Sequence, residues 1–74
     1  MAGQLPVLSG IEVRKVFEKT GWKCVRQRGS HMVMVKDGHI ATLSVPNHKT
    51  VAKGTLRSLI RASGLTVDEF IELV

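Results

Sequence analysis

Val25-Arg26-Gln27-Arg28-Gly29-Ser30-His31-Met32-Val33-Met34-Val35 has the pattern of a β-hairpin, and the rest of the chain arranges itself around it. Two strand-like runs flank Gly29-Ser30, and Gly followed by Ser is an accepted two-residue hairpin turn. Past the bend stands a histidine, the residue type that exchanges a proton near neutral pH without help from its surroundings. Arg26 and Arg28 precede it on the incoming strand. Working outward, Asp37-Gly38 is a second hairpin signal. Strands are therefore expected over 22–28, 31–36 and 39–45, and Pro46, lacking an N–H, ends the third. No helix fits between them, so the sheet should be an antiparallel meander.

Facing follows from loop parity, because a one-residue slip moves every side chain to the other face. With two-residue loops, Trp22, Cys24, Arg26, Arg28, His31, Val33, Val35, Ile40 and Thr42 share one side. Val25, Gln27, Met32, Met34, Ala41, Leu43 and Val45 share the other. The second set is the more apolar and is placed against the helices. His31 and both arginines are left on the open face, beside a Val33, Val35, Ile40 strip suited to docking.

The flanks read as helices. Residues 1–8 show no periodicity, with an extended stretch expected from Gln4 to Leu8 because Pro6 disfavours helix before it. Ser9-Gly10-Ile11-Glu12 fits a capping box, and Val13, Val16, Phe17 and Thr20 form one stripe, so a first helix is expected from about Ser9 to Thr20, ended by Gly21. Asn47 to Ala52 is a polar loop. A second helix opens at Gly54-Thr55, with Leu56, Leu59, Ile60 and Ser63 inward, and ends at Gly64. Thr66-Val67-Asp68-Glu69 is another capping box, before a short stripe of Val67, Phe70, Ile71 and Val74. The order α-β-β-β-α plus a short C-terminal helix makes an α+β domain with helices on one face of a three-stranded sheet. It occupies 1–74 as one unit, with its core in about 9–65.

Composition narrows the function. The 74 residues are 43% hydrophobic, as in ordinary globular proteins, and carry a net charge of +5. A sequence pI near 10.0 favours an anionic partner, nucleic acid first, with membrane surfaces and acidic proteins as alternatives. No apolar run approaches the roughly 20 residues of a membrane span. Met1 to Leu8 lacks the features of a signal peptide. The single cysteine, Cys24, fits a reducing compartment, so a cytoplasmic protein is expected. The three histidines and Cys24 have no metal-site spacing, and no metal or other cofactor is expected.

Gly21-Trp22, Arg28-Gly29-Ser30-His31, Val45-Pro46-Asn47-His48 and the run from Lys53-Gly54-Thr55-Leu56-Arg57-Ser58-Leu59 to Leu65, in this order and spacing, resemble the HicA (YcfA-like) toxins. The likeness covers about Ile11 to Leu65. It implies a double-stranded-RNA-binding-domain-like fold, messenger-RNA cleavage, and neutralisation by a HicB antitoxin. His31 maps to the family's catalytic histidine. The chain departs from many members in having Met32 and Val33 after that histidine, no tyrosine, and an extension over 66–74.

Metal-free RNA cleavage needs a base for the ribose 2′-OH, an acid for the leaving 5′-oxygen, and positive charge at the phosphorane-like transition state. His31 suits either proton-transfer role; read without the family it would simply cap the turn and pair across the hairpin. Arg26 and Arg28 suit phosphate oxygens. Lys49 and Lys53 flank the start of the second helix, whose free amides favour phosphate, and Arg57 and Arg61 extend that strip or are a solvated face. With Ser30 of the turn, these six basic residues are the candidate RNA-binding residues. His48 follows the family's pattern and reads as a loop histidine bonding backbone. His39 reads as a surface residue. Trp22 suits a base stack or, more commonly, an anchor at the sheet edge. Two rival readings stand beside the toxin nuclease: a non-catalytic RNA-binding module of the same fold, and a pure interaction domain.

Overall fold

The computed structural model describes residues 5–74. Gln4, expected to begin an extended stretch, lies outside them. The order is α1 Gly10–Glu18, β1 Lys23–Arg28, β2 His31–Val35, β3 Leu43–Pro46, α2 Lys53–Ser63 and α3 Val67–Leu73, with an antiparallel sheet ordered β1-β2-β3. This is the expected α+β arrangement.

Both capping boxes form. The Ser9 hydroxyl accepts from Glu12 N–H while Glu12 accepts from Ser9 N–H, and Thr66 and Glu69 repeat the exchange at α3. Each such cap typically contributes about 1 kcal/mol. α1 ends two residues short of expectation, because the N–H groups of Thr20 and Gly21 bond the carbonyls three residues back and tighten the last turn. Gly64, at φ +85°, closes α2.

Val13, Val16 and Phe17 of α1, Leu56, Leu59 and Ile60 of α2, and Phe70 of α3 are buried in one core with Met32, Met34, Leu43 and Val45 of the sheet. Burial of each stabilises by roughly 1.5–3 kcal/mol before entropy is counted. Leu5, Leu8, Trp22 and Val51, outside every regular element, complete the core.

Two expectations about facing and register are corrected. β1 carries a bulge between Cys24 and Arg26: Cys24 pairs with Met34, but Arg26 pairs with Val33. The extra residue, Val25, is 54% exposed, whereas Trp22 is 2% exposed and Cys24 packs partly against the core. Trp22 and Cys24 are thus off the open face, and Val25 is off the inner one. The larger apolar gain decides it, since an indole buries far more area than an isopropyl group. Arg26, Arg28 and His31 keep their expected side.

The second correction concerns Asp37-Gly38. His39 N–H donates to Lys36 C=O and closes a turn there, but pairing resumes only at Leu43, opposite Met34, rather than at His39. His39 instead lies against Trp22, with ring centroids 4.9 Å apart, and its Nδ1 accepts from Ala41 N–H. Packing on the indole wins over extending the ladder. The register moves by two residues, which preserves parity and leaves Leu43 and Val45 inward. Ile40 is fully exposed in this loop rather than in a strand. Pro46 falls inside β3, opposite His31, at its very end.

Candidate active site

The Gly29-Ser30 turn sets His31. Gly29 has φ +58° and no other turn residue is left-handed, so the bend has the signs of a type II′ turn, whose twist matches that of the strands. His31 is consequently the first residue of β2, directly opposite Arg28 on one side and Pro46 on the other. Residues two apart share a face, so Arg26 joins Arg28 and His31 on the open side. All three are exposed, as is Ser30.

The segment after β3 is tied to this turn. Asn47 N–H donates to Ser30 C=O at 2.6 Å, and Gly10 N–H donates to His48 C=O at 2.9 Å. Gly10 packs so closely that a methyl group there would collide with the Pro46 carbonyl oxygen and sit 2.9 Å from Asn47 Cα. Val51 N–H donates to Leu8 C=O and holds the far end of the loop. The outcome is an exposed His48 whose ring stands edge-on to His31, centroids 6.5 Å apart. The expected backbone role of His48 is filled by its own carbonyl.

The other basic candidates occupy the same chain segment. Lys49 is exposed in the loop, next to His48, and Lys53 is the first residue of α2. Ala52, the N-cap, supplies no side-chain bond to the first turn. Arg57 and Arg61 follow at four-residue spacing, about 6 and 12 Å along the axis from Lys53. They border an open cleft of about 240 Å³ that Ile60, Leu65, Thr66 and Val67 also line. The hairpin group and the loop are brought together; Arg57 and Arg61 lead away toward α3.

Electrostatics favour an anion along this path. Between Trp22 and Gly64 stand eight of the eleven Lys and Arg residues and one of the six acids, Asp37. Among the described residues the single ion pair is Arg14–Glu18, at 3.1 Å, on α1. No helix of the described residues is long and apolar enough to cross a membrane.

The family model described as HicA toxin of bacterial toxin-antitoxin matches residues 10–65. This chain belongs to the HicA toxin family. It is therefore a toxin of a toxin–antitoxin system, a role that entails an antitoxin partner. Comparison with curated proteins and with solved structures found no match.

Sequence reasoning about this HicA chain missed two residues of consequence. His39 is half-buried on Trp22 instead of being a surface residue. The nearness of His48 to His31 was hidden by the register, since a two-residue second hairpin would have put Ser44, not Pro46, opposite His31. The signal that could have found it is His48 lying two residues past the true partner of His31.

Proposed function

We propose that this HicA toxin is a metal-independent endoribonuclease that cleaves messenger RNA, with His31 as the catalytic group and a HicB-type antitoxin as its neutralising partner in the cytoplasm. The observation that carries the reading is an exposed imidazole at a hairpin end, paired across the ladder with Arg28 and sharing its face with Arg26. His31 transfers a proton at the 2′-OH; the arginines pair with phosphate oxygens and offset the charge that grows on the phosphorane. Ser30, Lys49 and Lys53 lie along the path of the RNA backbone, and Arg57 and Arg61 prolong it. Such contacts to phosphate read shape and charge rather than base identity.

The test is expression of the wild type beside His31→Ala, scored for growth arrest, for transcript integrity, and for cleavage of purified RNA in the presence of chelator. The variant should lose all three activities while keeping its thermal unfolding midpoint and its binding to the antitoxin. Cleavage by His31→Ala would remove the mechanism. The alternative, a non-catalytic RNA-binding module, draws on the exposed Lys53, Arg57, Arg61 stripe. It requires salt-sensitive RNA binding, no cleavage, and indifference to His31.

A further inference from the structure

We propose that His48 is a second catalytic residue, the general acid that protonates the leaving 5′-oxygen while His31 acts as base on the 2′-OH. This rests on the nuclease reading above and assigns the step that reading leaves without a donor. The two imidazoles are both exposed, edge-on, with ring centroids 6.5 Å apart. They do not touch each other. One phosphodiester lying across the pair can present its attacking oxygen to one imidazole and its leaving oxygen to the other, each within the usual hydrogen-bond reach of about 2.6–3.2 Å.

The spacing is built by backbone. Asn47 N–H holds the loop to the hairpin turn through Ser30 C=O, and Gly10 N–H holds His48 C=O on the other side of the same short segment. The ring of His48 has no part in that anchoring. A solvent-facing ring on a pinned backbone, turned toward the catalytic imidazole, is what a proton donor to a bound substrate requires.

The step balances without a co-reactant. His31 takes the 2′-OH proton, the 2′-oxygen bonds to phosphorus, and the bond from phosphorus to the 5′-oxygen breaks. The protonated form of His48 delivers its proton to that oxygen. A 2′,3′-cyclic phosphate and a 5′-hydroxyl leave, and proton exchange with water resets both rings.

The experiment compares two RNA oligonucleotides cut by the wild type at one linkage, one natural and one carrying a bridging 5′-sulfur there. A thiolate departs without protonation. His48→Ala should cut the natural RNA at least ~100-fold more slowly, and the sulfur-bridged RNA within about tenfold of the wild-type rate. His31→Ala should fail on both. His48→Gln keeps side-chain size and hydrogen bonding but cannot carry the proton, so it should behave as His48→Ala; circular dichroism confirms that both variants fold. Equal losses on the two RNAs, or natural cleavage retained by either variant, overturns the role of His48 and leaves that of His31 intact. A wild type that cuts neither RNA overturns both readings.

Discussion

The Trp22 indole and the His39 imidazole pack with ring centroids 4.9 Å apart and planes inclined by 56°. This contact explains why the chain, having turned at Asp37-Gly38, stays off the ladder until Leu43. It also closes the sheet edge over a core tryptophan whose Nε1, among the described residues, has no hydrogen-bond partner. His39→Ala should lower stability by about 0.5–1.5 kcal/mol, the usual worth of such an aromatic pair. Urea unfolding followed by emission of Trp22, the single tryptophan, measures it. An unchanged midpoint would show that the ring contact is incidental.

Gly10 allows α1 to begin against the backbone of residues 46 and 47. Gly10→Ala puts a methyl group where main-chain atoms already stand, so the helix start or the loop must move. We expect a loss of about 1–3 kcal/mol, in the range of overpacked sites. The bond from Gly10 N–H to His48 C=O should weaken with it, seen as faster amide exchange at Gly10. A variant as stable as the wild type, with that amide still protected, contradicts the close approach.

Glu12 accepts from the Ser9 N–H, and this bond, helped by the Ser9 side chain and by Lys15, holds its carboxyl below the ordinary value of 4.5 despite slight desolvation. A carboxyl depressed in the folded state stabilises it fully above the unfolded value and ceases to do so as pH falls through the folded value. Wild type should therefore exceed Glu12→Gln in thermal midpoint at pH 7. The difference should shrink below pH 4.5 and vanish in stronger acid. A gap that persists there assigns the effect to packing instead.

Lys53, Arg57 and Arg61 can be told from a merely solvated face by salt. If each neutralises one phosphate, its replacement by Ala should lower the slope of log affinity against log salt by about one unit, or slightly less on single strands. Binding of a fixed RNA, titrated from low to moderate salt in the His31→Ala background in which cleavage is expected to be lost, reads this. Slopes unchanged by all three replacements would place the RNA elsewhere.

Much of this molecule was legible along the chain. The hairpin at Gly29-Ser30, both capping boxes, the inner stripes of α1 and α2 and the outward position of His31, Arg26 and Arg28 all rest on local chemistry. A turn residue tolerates a dihedral, a hydroxyl caps an amide, and alternation decides a face; each operates within a few residues of its cause. The bulge at Val25, the shortened β3 and the inward Trp22 were not legible, because they compare the burial of one side chain with that of a distant competitor. The same holds at the candidate site. Its first imidazole is announced by the turn before it. The second reaches its place only through Ser30 and Gly10, residues 17 and 38 positions from their partners, and a bond over that span exists only once the sheet and α1 have packed.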